Sequence, residues 1–554
     1  MTKAGCDLIN HLTPIDGSLL TEQSMNGKGL LDRTTGRFYT HEIMGKHLAK
    51  SIAQAFLTRK KQPKIKIVEP FVGDGRLVCW LLEELAQQKN SLFIQYEVHI
   101  WETDYAALQS AYTAICECAK KLTLNMSITH IHADTFALSR DYWNQFDICI
   151  TNPPWENLKP DQRELKYLSE ADQSTYIQLL KNRASMLAGI YPNSQPSRKF
   201  SGWGTNLSRC GAELAFKLVN EIGIVGIVLP SSILADQTSG ILRNWLFQEF
   251  SAIDLAYYVA EARLFEKVDQ SSITFVATAQ KTQVLPKLWS YDRNCHSTKV
   301  KLLNSDWEEV KRSEYIFPAQ FNMSAVRVAA KLKCLSKFGD LEGSNDSQLW
   351  SGRELDETNY SQYLSSHGEH LFLKGRMIKR FGITEQPNLY ISPNGPKIPK
   401  SVDFHRLVWR DVSRPSQKRR VYATIIPPGW VTGNSLHVAY FRDDNLARLK
   451  ALLGIVNSLA FECQAKTYLA TGHVSLGAVR RVPIPAFSSP EILDSLVPVV
   501  DLALAGQGES ELLLEVLVAK LYGLTRDDFC LVLQSFDKVS KAEREVLLAH
   551  PAWS

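Results

Sequence analysis

Phe146-Asp147-Ile148-Cys149-Ile150-Thr151-Asn152-Pro153-Pro154-Trp155 is an apolar run that stops abruptly in a rigid polar turn. Short, apolar and partly β-branched, residues 146–151 predict a buried strand. The two prolines end it, since neither can donate a ladder hydrogen bond and each biases its predecessor to extended backbone. Outward from this stretch, short apolar runs alternate with helical stretches across 36–280. Strands are predicted at 65–69, 96–102, 127–132, 222–229 and 271–279, with helices at 42–57, 77–88, 104–121 and 209–221. That alternation is the pattern of a doubly wound α/β domain. Residues 156–205, polar and poor in periodicity, interrupt it directly after the turn, and a loop of that length inside a domain is usually functional or mobile.

The first strand carries a second motif, Val68-Glu69-Pro70-Phe71-Val72-Gly73-Asp74-Gly75. Its two glycines allow a tight turn into a helix and close approach of a ligand to the main chain. A dinucleotide fingerprint is excluded, because a third glycine is missing and Glu69 stands where a pyrophosphate would be repelled. A sulfonium bearing an amino-acid ammonium would instead be attracted by that carboxylate, which suits S-adenosylmethionine. Val98-His99-Ile100-Trp101-Glu102 ends the second strand in an acid, the position that takes ribose hydroxyls in such folds. Ile131-His132-Ala133-Asp134 places another at a third strand end, where it could accept from an adenine amino group. Each acid alone is more often a surface or capping residue; their succession at consecutive strand ends, followed by Asn152-Pro153-Pro154-Trp155, carries the reading.

By composition Asn-Pro-Pro is also an ordinary turn after a strand. Its chemistry offers more. An exocyclic amino nitrogen conjugated with an aromatic ring is a poor nucleophile. The Asn152 side-chain oxygen and the Pro153 carbonyl together could accept both its hydrogens and push it towards sp3 geometry, with Pro154 stiffening the turn and Trp155 stacking on the ring.

These motifs together resemble the gamma-class, TaqI-type N6-adenine DNA methyltransferases, over roughly 36–486. Gly36-Arg37-Phe38-Tyr39-Thr40 is similar to that family's N-terminal cofactor motif, with His41 in place of its usual proline. Phe71, Val72 and Asp74 depart from its commoner central motif, and Thr135 replaces an expected phenylalanine. Gly223 to Ser231 resembles the family's strand ending in Pro-Ser, and Leu264-Phe265 with Val268 resembles the motif whose aromatic packs on a flipped base. The resemblance implies a Rossmann-like S-adenosylmethionine-dependent methyltransferase domain followed by a C-terminal mixed α/β DNA-recognition domain. It also implies base flipping, with unstacking costing about a few kcal/mol. The expected cofactor contacts are Thr40, Glu69, Pro70, Gly73, Gly75, Glu102, Asp134 and Asn152. The expected catalytic set is Asn152, Pro153, Pro154 and Trp155, with Trp155 and Phe265 sandwiching the adenine. Transfer is then a direct in-line displacement that needs no metal.

Composition fits an ordinary globular chain: of 554 residues, 45% are apolar and 22% charged, which points to two or three domains rather than a disordered or fibrous class. No signal pattern and no long apolar run is present, so a soluble cytoplasmic protein without a membrane partner is expected. Ten scattered cysteines without a C-x-x-C pair predict reduced thiols.

Charge is unevenly spread. Residues 371–486 hold 18 Lys+Arg against 6 Asp+Glu, an excess of +12, whereas 487–554 hold 5 against 11, which is −6. A basic concentration of this kind is the footprint of a polyanion, here double-stranded DNA. Lys374, Arg376, Lys379, Arg380, Arg406, Arg410, Arg414, Lys418, Arg419 and Arg420 are the expected contacts.

The expected division is an N-terminal extension over 1–35, a methyltransferase over 36–290, target recognition over 291–486 and an acidic helical tail over 487–554. Pro160-Asp161 with Glu164 and Lys166 spells the letters of a nuclease site, but the acids are too close together, so any restriction endonuclease partner is expected as a separate chain. Gly204-Thr205-Asn206-Leu207 with Gly211 to Val219 also resembles methylases that accompany type IIS restriction enzymes. Two rivals stand beside this reading: an RNA-adenine or protein-glutamine methyltransferase, and a catalytically silent DNA-binding module.

Overall fold

All the predicted strands form, in one nine-stranded sheet. They are β1 (Lys64–Glu69), β2 (Gln95–Glu102), β3 (Asn125–His132), β4 (Phe146–Thr151), β5 (Val219–Pro230), β6 (Ser251–Tyr258), β7 (Ser272–Thr278), β8 (Lys287–Tyr291) and β9 (Ser297–Val300). The order is β3-β2-β1-β4-β5-β7-β6-β8-β9. β1 to β5 run parallel, and β7 enters antiparallel between β5 and β6. The order reverses between β1 and β4, the topological switch point at which doubly wound sheets bind ligands beyond their strand ends.

The computed structural model describes residues 39–57, 63–87, 94–160, 165, 168–199, 202–265, 269–414, 417–469 and 472–554. The expected extension 1–35, the motif residues Gly36, Arg37 and Phe38, and Asp161, Glu164, Lys166 and Val268 lie outside the described residues. The chain divides into two compact units, Met1–Trp307 and Glu308–Ser554.

Helices of the first unit start where the chemistry of caps allows. α1 (Glu42–Leu57) precedes β1, and α2 (Arg76–Ala86) starts at Gly75, whose φ of 81° is left-handed and costs glycine little. α3 (Tyr105–Lys121) is capped by Asp104, which accepts from the Ala107 N–H at 2.9 Å.

Three expectations about this unit are corrected. First, the polar stretch after Trp155 contains a 21-residue helix, α4 (Glu170–Ile190), capped by Ser169. Of its side chains only Leu180 and Leu187 are buried, so no apolar stripe announced it. Second, α5 (Leu207–Leu218) ends earlier than expected and β5 begins at once, because Val219 already pairs with Phe146 of β4. Third, position 290 falls within β8 and the sheet runs on to Val300. β6 escaped notice because it carries an acid, Asp254, which is buried and satisfied by His47 Nε2 at 2.7 Å and Trp289 Nε1 at 2.9 Å.

In the second unit an antiparallel sheet joins β10 (Leu349–Gly352), β11 (Arg406–Arg410), β12 (Ala423–Ile426) and β13 (Leu436–Phe441), in the order β10-β13-β11-β12. Helices α6 (Gly240–Glu249) of the first unit and α7 (Met323–Leu332), α8 (Leu446–Val456), α9 (Leu459–Tyr468), α10 (Pro490–Leu504), α11 (Gly508–Leu521), α12 (Arg526–Gln534) and α13 (Lys541–Leu548) of the second complete the main set. The stretch 487–554 is not set apart. Val500, Leu514, Val518, Phe529 and Val532 share one core with Trp409, Leu453 and Phe461, and the acids lie on the outer faces of the same helices or pair with basic side chains.

Candidate active site

Parallel β1, β2, β3 and β4 end side by side, and each delivers a polar residue there: Glu69, Glu102, Asp134 two residues past β3, and Asn152 just past β4. The connecting loops are tied to one another. The Val72 N–H donates to the Trp101 carbonyl at 3.1 Å, and the Gly73 N–H donates to Glu102 Oε2 at 3.2 Å. Glu102 therefore closes against the Gly-x-Gly turn rather than standing alone. Thr135 Oγ1 donates to the Pro70 carbonyl at 2.6 Å, joining the third loop to the first. Gly73 and Gly75 have φ of 54° and 81°, values that disfavour a side chain at either position.

Glu69 is fully buried, and its Oε2 makes no hydrogen bond among the described residues. Burial, then the charges of Asp74 and Glu102, push its pKa well above the usual carboxylate value. A buried acid in this condition calls for a cation or a donor. The ammonium of S-adenosylmethionine supplies one, so the residues present fit that cofactor. Asp74, which would add to the repulsion, is itself held by Arg76 at 2.6 Å.

The Asn152-Pro153-Pro154-Trp155 turn is equally anchored. Asn152 Nδ2 donates to Thr40 Oγ1 at 3.1 Å, and Thr40 is buried. Arg76 donates to the Thr40 carbonyl at 3.1 Å, linking the residue after Tyr39 to the start of α2. Pro153 is buried and Trp155 half-buried, with its indole Nε1 making no hydrogen bond among the described residues.

Trp155 and Phe265 do meet, at 4.9 Å between ring centroids with an interplanar angle of 63°. They touch edge to face and do not flank a gap. A base placed between them needs two stacking distances, so the expected sandwich is absent from this conformation. Phe265 is buried in the core under the sheet end.

Asp134 has a partner that sequence reasoning missed. Arg183, on α4, grips it with both terminal nitrogens, NH2 to Oδ1 at 2.9 Å, and lies 5.6 Å over the Phe136 ring. Asp134 also accepts from the Phe136 N–H at 3.1 Å. No period in 170–190 could have brought Arg183 forward. In sequence Asn206 and Gly211 are only parts of a motif; in the structure they seat the turn after β4, Asn206 at the start of α5 and Gly211 within it.

The ten basic residues of the second unit separate sharply. Arg406 and Glu354 are both fully buried and paired at 2.8 Å, and Arg406 also donates to the carbonyls of Phe404, Pro427 and Trp430. Arg419 is buried between Glu462 at 2.8 Å and Glu515 at 3.1 Å. Burial alone would discharge it, but the two acids outweigh burial and raise its pKa. Arg420 is buried and donates to the Ser413 carbonyl at 2.9 Å. These three cannot touch DNA from inside the core, which corrects their expected role. They look like DNA contacts in sequence because counting charge cannot see burial.

Arg380 is largely enclosed by Glu511 and Glu515, and half-buried Arg410 donates to the Ile378 carbonyl over the Tyr422 ring. Lys374 pairs with Glu357 at 2.6 Å. Arg376, Lys379, Arg414 and Lys418 are exposed, with Lys418 paired to Glu543 and Arg376 3.4 Å from Glu385. Among the described residues no helix is long and apolar enough to cross a membrane.

The sequence matches no family model and no curated protein. Among solved structures, the Type IIL restriction-modification enzyme MmeI in complex with DNA aligns with a TM-score of 0.57 at 10% identity, over 92% of this chain and 79% of that one. The Type ISP restriction-modification enzyme LlaGI, as a nuclease-deletion mutant, aligns with a TM-score of 0.49 at 13% identity, over 84% of this chain and 47% of that one. DrdV in a DNA complex aligns with a TM-score of 0.46 at 12% identity, over 86% and 58%. The likeness to MmeI establishes a shared α/β fold.

Proposed function

We propose that this protein transfers a methyl group from S-adenosylmethionine to N6 of an adenine flipped out of double-stranded DNA. In this reading the modification protects host DNA from a separately encoded restriction endonuclease. The observation that carries the proposal is the convergence of buried Glu69, with its unsatisfied oxygen, and the Asn152-Pro153-Pro154-Trp155 turn at adjoining strand ends of one sheet. The fold shared with MmeI, a restriction-modification enzyme seen with DNA, accords with it.

S-adenosylmethionine, when bound, supplies an electrophilic methyl group on a sulfonium. Glu69, Glu102 and the Gly73–Gly75 turn would hold its amino-acid and ribose portions, and Asp134, here bonded to Arg183, would accept from its adenine amino group. Thr40 takes the Asn152 Nδ2, which fixes the orientation of the amide, with Oδ1 on its other, buried side. Asn152 Oδ1 and the Pro153 carbonyl then accept the target amino hydrogens and localise the nitrogen lone pair. Proximity and alignment supply most of the acceleration. Trp155 stacks on the extruded base once its contact with Phe265 opens. Exposed Arg376, Lys379, Arg414 and Lys418 contact phosphates.

The test is methyl transfer from labelled cofactor to duplex DNA, RNA and protein in parallel. Label in the adenines of duplex DNA alone supports the proposal, and label only in RNA or protein overturns it.

A further inference from the structure

We infer that Gly211 is a positioning residue for this methyl transfer, holding Pro153 at the place from which its carbonyl accepts; the inference rests on the function proposed above. α5 lies directly against the catalytic turn. A Cβ on Gly211 would stand 2.3 Å from Pro153 Cβ, 3.1 Å from Pro153 Cγ and 3.4 Å from Phe71 Cε2. The first of these distances is far inside van der Waals contact, and a proline ring cannot rotate out of the way as a long side chain can. Glycine within a helix is destabilising relative to alanine, so local helix stability gives no reason for a glycine here. Close approach does.

The same helix end secures the rest of the turn. The Leu207 N–H donates to the Glu156 carbonyl at 2.8 Å and the Leu158 N–H to the Thr205 carbonyl at 3.0 Å. Asn206 caps α5 by accepting from the Arg209 N–H, and its Nδ2 donates to Asn157 Oδ1 at 2.8 Å. The turn is thus tied at Glu156, Asn157 and Leu158 and seated at Pro153. Phe71 belongs to the loop between Glu69 and Gly73 and packs on Phe136 at 5.1 Å. Gly211 is where α5, the turn that activates the nucleophile and the cofactor loop meet. An added methyl must displace Pro153 relative to that loop, and misplacement of about 1 Å can cost about 10²-fold in rate.

The experiment compares Gly211→Ala with Gly189→Ala in the full chain, since a Cβ on Gly189 of α4 meets nothing within 4 Å. Expected for Gly211→Ala is a fall in kcat of about 10²-fold, while Kd for S-adenosylmethionine and for a duplex oligonucleotide stay at wild-type values. Gly189→Ala keeps wild-type kcat. Unchanged kcat in Gly211→Ala, or a loss of kcat matched by an equal loss of cofactor affinity, overturns the positioning role. If Gly211→Ala does not fold, Asn157→Ala removes one tie from an exposed side chain; a drop in kcat with unchanged Kd supports the inference and an undiminished kcat overturns it. A wild-type chain inactive on every DNA tested overturns both this inference and the proposed function, whereas an active wild type with an undiminished Gly211→Ala overturns only this one.

Discussion

Asn152 and Thr40, separated by 112 positions in sequence, are joined by one hydrogen bond of 3.1 Å from the Asn152 amide to the Thr40 hydroxyl. That bond fixes the orientation of the amide to which the proposed function assigns the target amino group. Thr40→Val keeps the shape and removes this acceptor, a net loss of about 0.5–1.5 kcal/mol. The expected outcome is a fall of about ten-fold or more in kcat for methylation, whereas Asn152→Ala abolishes it. Electrophoretic shift of a duplex oligonucleotide should be nearly unchanged in both, and a loss of DNA binding equal to the loss of rate would count against the assignment.

Glu69 sets stability against function. Its pKa in the folded chain is raised above the ordinary 4.5 by burial and by Asp74 and Glu102. A group raised in this way contributes stability that is complete below the unfolded value and is lost as pH rises through the folded one. Glu69→Gln is therefore expected to raise the Tm of the cofactor-free protein at neutral pH and to flatten its decline above the carboxylate range, while cofactor binding is lost. Thermal unfolding with and without S-adenosylmethionine measures both; an unchanged ligand-induced shift in Tm would exclude Glu69 from the cofactor site.

The Arg406–Glu354 pair is a structural element of the second unit. Both side chains are fully buried, and Glu354 also accepts from the Thr432 N–H at 2.7 Å and from Ser401 Oγ at 2.6 Å. Removing one partner strands the other charge, at about 3–5 kcal/mol. Glu354→Gln should lower the denaturant midpoint accordingly, and the same loss is expected from Arg406→Met.

Exposed basic residues are expected to behave in the opposite way. Arg376→Ala, Lys379→Ala and Arg414→Ala should leave unfolding within about 0.5 kcal/mol of wild type. Each that contacts a phosphate should weaken DNA binding for all sequences alike and reduce the slope of log K against log salt by about 0.9. Titrations at several salt concentrations distinguish these contacts from base-reading ones, whose loss relaxes sequence preference.

Asp411 marks the acid limit of the second unit. Its carboxylate joins His437 Nε2 and His473 Nδ1, each at 2.9 Å, and Arg353 at 2.9 Å. Burial would raise its pKa, but the two histidine hydrogen bonds and the nearby charges outweigh burial and bring it from 3.8 to about 2. Stability from a depressed carboxylate is present above the unfolded value and is lost as pH falls through the folded one. Asp411→Asn is expected to remove the part of the acid transition that lies between about pH 4 and pH 2, as followed by far-UV circular dichroism.

The sequence by itself determined the strand order's raw material and the acids at three strand ends. The period-two and apolar runs at β1 to β5 are local properties, and Gly73, Gly75, Asn152 and the two prolines announce themselves through backbone chemistry. It also indicated that Trp155 and Phe265 belong together, though their edge-to-face contact depends on how the core fills beneath them.

Tertiary structure alone decided the rest. Arg183 reaches Asp134 from a helix whose apolar and polar residues are not sorted onto separate faces, so no sequence period marks it. β6 hides behind Asp254, an acid tolerated in a buried strand only because His47 and Trp289, far away in sequence, supply its hydrogen bonds. The fate of the basic residues shows the same cause: Arg419 and Arg376 are alike as charges in a count, yet one lies between Glu462 and Glu515 in the core and the other is exposed. Burial and pairing arise from segments that meet only on folding, and charge and periodicity along a chain do not encode which segments meet.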